Sequence, residues 1–331
     1  MRLFTFGTMT AMALALSGAA AQARELTFAT FVPASSPTVE AVFQPWVDWF
    51  NEQAAAEDIS VKLYAGGTLG RNPAAQAELV ANGVADITIT VPSYTPGVYP
   101  DYDIFELPGF AADAAEGSNA VKALYEEGML RGYEDFEVIG AYTSGSYMLH
   151  SKPPIASYAD IKDKKFRVSG QVQTQIVNAL GAVPENMNAL EMAENIDRGL
   201  IDGAVADASV AKTFRVSDVA TNHYAADLGV LVFVIIMNKD VYEELPDSVK
   251  TALEDSRQFF VDRQVESYVP AVEANLAEWD GKGGHTVVIP SEADREQLLA
   301  AVQPVVEAVE AAATDGLLDA YRAKLEEFRA R

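Results

Sequence analysis

The chain has 331 residues, 49% of them hydrophobic and 22% charged, enough for two soluble domains with sizeable cores. Asp and Glu number 48 against 24 Lys and Arg, a formal net charge of −24. That balance argues against nucleic acid and against anionic lipid, which both recruit basic residues, and the lack of cysteine excludes disulfides, thiol nucleophiles, iron–sulfur clusters and Cys-linked zinc or lipid.

Arg2 precedes an uncharged, mostly apolar run, Leu3 to Leu16, and Ala21-Gln22-Ala23 is an A-x-A cleavage site. The pattern is that of an export signal spanning residues 1–23, cleaved near Ala23. A membrane span needs about 20 apolar residues, and this run is too short. The expectation is a periplasmic protein with no direct membrane insertion after cleavage.

Ser36 can cap a helix with Pro37 at its first position. Val39, Val42, Phe43, Trp46, Val47 and Phe50 then fall on one face, and Pro45 predicts a kink. Ile59, Val61 and Leu63 alternate as a strand, as do Ile87, Ile89 and Val91. Between them Asn72-Pro73 starts a helix that Gly83 ends. Val230 to Met237 suits a buried strand. Asp247 to about Trp279 is a long helical stretch broken near Pro270, able to lie across two domains. Ser291 to Arg331 is helical with a break near Gly316. Strands alternating with helices imply α/β architecture with parallel sheets.

Glu78 to Asp86 leads into the strand at Ile87, and Glu194 to Asp202 leads into Gly203 to Ala206. Both read helix, Gly stop, two residues, Asp, strand. Any helix-to-strand turn favours Gly followed by a polar residue. The alternative is two sheets of similar wiring, one per domain, facing each other across a cleft. In open parallel sheets ligands bind beyond the carboxyl ends of strands.

Catalytic motifs are lacking. His150, His223 and His285 are scattered, with no pair at helical ligand spacing, so no metal site is expected. There is no nucleophile elbow, phosphate loop or dinucleotide fingerprint, so neither catalytic residues nor a cofactor is expected. One basic segment stands out, Lys162 to Val168. Phe166 and Val168 would pack on the face opposite Arg167. An arginine at a strand's carboxyl end suits a carboxylate, because its planar fork gives two parallel charge-assisted bonds. A surface arginine paired with one of many acids is the other reading.

Several segments together resemble the periplasmic solute-binding proteins of tripartite ATP-independent (TRAP) transporters, the DctP-like family. They are Leu63 to Gly70, Glu78 to Asp86, Ser93-Tyr94 through Tyr99-Pro100, Glu106-Leu107-Pro108, and Ser151 to Ile155. Asp160 to Lys162, Lys165 to Val168, Ala179 to Ala182, Gly199 to Gly203 and Leu245-Pro246 complete the set. The resemblance implies a two-domain periplasmic binding protein fold. Each domain is a mostly parallel sheet flanked by helices, with a ligand cleft between and a long helix spanning both. The expected division is 24–144 plus 233–272 for the first domain and 145–232 plus 273–331 for the second. It implies capture of a small organic acid, hinge closure and delivery to the membrane permease subunits of a TRAP transporter, without catalysis.

Arg167 falls on the arginine that resembling proteins use to grip the ligand carboxylate. Where many acid-binding members carry a second arginine, this chain has Tyr147, and where an asparagine often helps, it has Asp207. Strand-end logic adds Phe31, Arg71, Asn72, Ser93 and Tyr94. Leu190 and Phe233 fall where family members pack side chains on the ligand. One cation among phenolic and apolar walls suits a monocarboxylate such as a hydroxy or keto acid. An amino-bearing zwitterion, with Asp207 as counter-charge, is the alternative ligand. A sensory binding protein is an alternative role, and a periplasmic enzyme a remote one.

Overall fold

The computed structural model describes residues 23–331, and the expected export signal falls outside the described residues. The strands are β1 (Arg24–Ala29), β2 (Ile59–Tyr64), β3 (Ile87–Thr90), β4 (Phe136–Thr143), β5 (Met148–Ser151), β6 (Lys165–Val168), β7 (Val183–Asn186), β8 (Gly203–Ala206), β9 (Asn222–Tyr224), β10 (Val232–Asn238) and β11 (Thr286–Val288). They form two sheets, ordered β2-β1-β3-β10-β4 and β11-β9-β5-β8-β6-β7.

Each sheet is parallel but for one strand. β10 runs antiparallel between β3 and β4, and β5 runs antiparallel between β8 and β9. These are the two strands that the chain enters directly from the other sheet, β4 leading to β5 and β9 to β10. The two crossing segments are hydrogen-bonded to each other. The amide of Ser144 donates to the Leu231 carbonyl at 2.9 Å, and that of Tyr147 to the Gly229 carbonyl at 2.8 Å.

The repeated sequence unit has one geometry in both sheets. Gly83 and Gly199 adopt φ of 67° and 69°, the left-handed conformation that lets a helix stop in one residue. The aspartate that follows reaches sideways to the neighbouring parallel strand. Asp86 Oδ2 accepts from the Thr27 amide at 2.7 Å, and Asp202 Oδ2 accepts from the Lys165 amide at 2.8 Å. Each aspartate thus sets the register of its strand against the next.

The Pro45 kink takes the form of a π-helical turn, Val39–Phe43, before the α-helix Gln44–Ala54. The long helical stretch likewise runs as Asp247–Arg263, a π-helical turn Gln264–Tyr268, and Val269–Trp279, with Pro270 just after the break. Its first part packs on the first sheet's layer: Trp46 donates to Ser256 Oγ at 2.9 Å and stacks on Phe260 at 5.6 Å. Its last part reaches the second sheet, where Trp279 joins a core with Met192, Ile196 and Val216. Ser291 caps the helix Glu292–Ala312, and Gly316 at φ 75° starts the final helix, Leu317–Arg329. That last helix packs on Ala114–Glu126 beside the first sheet, and Arg329 pairs with Glu116 at 2.6 Å. Among the described residues no helix is long and apolar enough to cross a membrane.

Candidate functional site

A cavity lies between the two sheets, with about 540 Å³ of open space, its mouth included. From the first domain, Phe31 and Val32 follow β1, Ile89 is on β3 and Tyr94 follows it, Tyr142 ends β4 and Phe233 begins β10. From the second, Arg167 is on β6, Ala189 follows β7, and Val210, Thr213 and Phe214 come from the helix after β8. The crossing segments add Tyr147 and Leu231, and the π-helical turn adds Tyr268. The cleft therefore sits at the carboxyl ends of β1, β3, β6, β7 and β8, where open α/β sheets bind ligands.

Arg167 is 1% exposed, between the fully buried Phe166 and Val168. Its Nε donates to the Met187 carbonyl at 2.8 Å, Nη2 to Tyr94 Oη at 3.2 Å, and Nη1 reaches the Val205 carbonyl at 3.5 Å. A guanidinium carries five N–H donors, so donors are left over for a ligand. Among the described residues no carboxylate stands within ion-pair distance of Arg167. A buried cation without a counter-ion is costly, and an incoming anion relieves that cost. The Tyr94 contact also ties the second domain to the first across the cavity.

Tyr147 lines the same cavity at 2% exposure. Burial drives its phenol well above the ordinary range; the nearby Asp207 adds to this and Arg167 opposes it. The group is therefore a neutral hydroxyl, not a second cation.

Asp207 has another role. It is fully buried, and its oxygens accept from the Val210 amide at 2.6 Å, the Gly145 amide at 2.7 Å and the Tyr268 hydroxyl at 2.8 Å. It is the cap of the helix Ala208–Thr213 and ties that helix to one crossing segment and to the long helix. Burial raises its pKa to about 6, and the three donors pull it back. Its carboxylate is not part of the cavity lining, so it positions Val210, Thr213 and Phe214, which are.

Of the ten residues expected from sequence, Arg167, Tyr147, Tyr94, Phe31 and Phe233 line the cavity. The others do not. Ser93 is buried beneath Gly170, where an added Cβ would stand 2.3 Å from the Ser93 carbonyl oxygen. Asn72 caps the turn Pro73–Ala75, Arg71 beside it is exposed, and Leu190 is 47% exposed. Sequence reading missed Tyr142, Thr213 and Tyr268. Tyr142 is the cross-strand partner of Phe233, Thr213 follows Val210 by three on a helix, and Tyr268 precedes the predicted Pro270 break. Those were the available signals.

The three histidines also come together, away from the cavity. His150 Nδ1 and His223 Nδ1 are 2.7 Å apart, and His223 Nε2 and His285 Nδ1 are 2.9 Å apart. Trp279 stacks on His223 at 4.3 Å. Among the described residues no group of three His, Cys, Asp or Glu side chains is arranged to hold a metal ion.

The model of bacterial extracellular solute-binding protein family 7 matches residues 28–312. A solute-binding protein of Sulfitobacter sp. is 30% identical, over 81% of this chain and 82% of the relative. The C4-dicarboxylate-binding periplasmic protein DctP of Rhodobacter capsulatus is 24% identical over 74% of each. In structure, the chain is similar to a marine metagenome TRAP solute-binding protein specific for aromatic acid ligands, in complex with meta-hydroxyphenylacetate. The TM-score is 0.82 at 25% identity, over 92% of this chain and 99% of that one. The fold, the placement of the cleft and these likenesses lead to one family, and the chain belongs to it: extracellular solute-binding protein family 7, the periplasmic proteins that bind substrates for TRAP transporters and do not transform them.

Proposed function

We propose that the protein captures a small organic monocarboxylate with an apolar body and presents it to a TRAP-type membrane permease. The observation that carries this is Arg167, buried to 1% exposure with spare donors and, among the described residues, no carboxylate within ion-pair distance. One cation matches one carboxylate. The place where a second cation would widen the range to dicarboxylates holds the neutral Tyr147. The aromatic lining supplies apolar area for the rest of the ligand, and a structural neighbour at 25% identity is specific for aromatic acid ligands. The zwitterion reading loses support, because the Asp207 oxygens already accept from three protein donors. In the same reading the domains are 24–144 with 233–272 and 145–232 with 273–331, amended so that the final helix, packed on Ala114–Glu126, counts with the first. The mature protein would start near Arg24 in the periplasm.

A thermal-shift screen of the mature protein against monocarboxylates, dicarboxylates, sugar acids and zwitterions tests this. A ligand at 100 times its Kd adds about 2.7 kcal/mol of stability. Arg167→Ala should then weaken the best monocarboxylate by about 2–4 kcal/mol, since it removes the partner of a buried charge. A loss under about threefold would remove Arg167 from the site, and hits confined to dicarboxylates would overturn the monocarboxylate assignment.

A further inference from the structure

Resting on the Arg167 reading above, we infer that the cleft takes a hydroxylated aromatic monocarboxylate whose ring hydroxyl is read by Tyr142 and Thr213. The starting observation concerns the hydroxyls that line the cavity, those of Thr38, Tyr94, Tyr142, Tyr147, Thr213 and Tyr268. Tyr94 Oη accepts from Arg167, and the Tyr268 hydroxyl donates to Asp207, so both are engaged. Tyr142 Oη and Thr213 Oγ1 are buried and have no hydrogen-bond partner among the described residues. Tyr142 is 1% exposed. Buried polar atoms are nearly always satisfied, so two orphan hydroxyls on one binding cavity call for a polar atom of the ligand.

The neighbouring walls set the shape of that ligand. The Tyr142 ring stacks on Phe233 at 5.2 Å, and Phe31 meets Tyr94 edge to face at 6.4 Å. Phe214 stands one residue beyond Thr213 on the same lining. Ring faces and edges favour a planar aromatic body over a flexible aliphatic one, beyond the area they bury. The position of the hydroxyl follows from the elements involved. The carboxylate sits at Arg167 on β6, whereas Tyr142 ends β4 and Thr213 ends the helix after β8. Neither residue is among the hydrogen-bond partners of Arg167. A hydroxyl on the carbon next to the carboxylate would stay at Arg167, so the group that reaches Tyr142 and Thr213 is carried on the ring. Tyrosine and threonine hydroxyls both donate and accept, which suits another hydroxyl.

Calorimetric titration of the full mature protein with benzoate, the three hydroxybenzoates and cyclohexanecarboxylate tests the inference. One hydroxybenzoate should bind at least about tenfold tighter than benzoate, the worth of satisfying a buried hydroxyl. Tyr142→Phe and Thr213→Val should each shrink that preference, taken as the ratio of the benzoate Kd to the hydroxybenzoate Kd measured in the same variant, below about threefold. The inference is overturned if no hydroxybenzoate outbinds benzoate, or if the preference survives both substitutions. Binding of cyclohexanecarboxylate and other non-aromatic acids alone, still lost in Arg167→Ala, would overturn the aromatic hydroxyl and leave the Arg167 reading standing. Binding of any of these acids that is indifferent to Arg167→Ala would overturn the Arg167 reading as well.

Discussion

Acid should act on the second domain through its histidine chain, and the size of the effect follows from geometry. His150 Nε2 stands 3.2 Å from the Ala206 carbonyl, which only accepts, so that nitrogen carries the proton. His150 Nδ1 is then an acceptor, His223 Nδ1 donates to it, and His223 Nε2 accepts from His285 Nδ1. The two inner rings are buried, at 0% and 1% exposure. A proton added to His150 Nδ1 would put a charge on a fully buried ring and require His223 and His285 both to switch tautomer. Burial accordingly lowers the His150 pKa to about 4, and burial with the charge of the neighbouring rings lowers His223 to about 2. In the unfolded chain both titrate near 6.5. Below that pH the unfolded state binds more protons than the folded one, so stability falls with pH. From pH 7.5 to 5 each ring costs about 2 kcal/mol, about 4 kcal/mol for the two, the slope approaching roughly 1.4 kcal/mol per pH unit only well below 6.5. Buried carboxylates act with the opposite sign: burial holds Asp207 and Asp103 at about 6 and Glu106 well above its ordinary value, so each gains stability as it takes up a proton. The histidine share is therefore read as a difference. Urea unfolding at pH 7.5 and 5 should show wild type losing about 4 kcal/mol more than His150→Leu/His223→Phe across that interval. A difference under about 1 kcal/mol would refute the neutral-chain assignment.

Asp207→Ala should cost about 3 kcal/mol of stability in urea at neutral pH, since it removes a helix cap and strands the buried donors of Gly145 and Tyr268. A loss under about 1 kcal/mol would show that the staple is dispensable. Gly170→Ala places a Cβ 2.3 Å from the Ser93 carbonyl oxygen and should push the Tyr94 turn away from Arg167. Ligand affinity should drop by about tenfold, or about 1.4 kcal/mol, and an unchanged Kd in a folded variant would refute this coupling.

The parts of the fold set by local chemistry were readable in the sequence. The Asp86 and Asp202 turns repeat because a left-handed glycine and a short carboxylate suffice to launch a parallel strand, whatever lies around them. Arg167 was readable because a basic strand in an acidic chain is conspicuous. What could not be read depends on which strands meet. His150, His223 and His285 lie 73 and 62 residues apart, and they touch because β5 pairs with β9 and β9 with β11. Tyr142 reaches the cleft because β10 enters the first sheet beside β4. Both pairings follow from the chain crossing between sheets, which no local pattern encodes. Asp207 is a different case. An aspartate at a strand-to-helix junction is itself the signal of a cap, whereas its place opposite the family's asparagine points to the ligand.

The disposition of the acids explains how one arginine stays free in a chain of net charge −24. Asp101 is fully buried, and Arg131 pairs with it at 2.6 Å and Thr314 donates to it. Glu116 is held by Arg329. The Asp207 oxygens are taken by the helix cap, the crossing segment and Tyr268. Glu106 lies near enough to Arg167 to feel its charge, yet full burial and the Asp103 charge push its pKa well above the usual carboxylate range, which disfavours its charged form. Among the described residues the buried carboxyls are thus paired, capped or disfavoured as anions by burial. Most of the other acids are exposed, where their repulsion of an anionic ligand is screened beyond about 8–10 Å at physiological salt. Inside the cleft the ligand meets a single unpaired charge of opposite sign, and a large acidic surface coexists with the uptake of an acid.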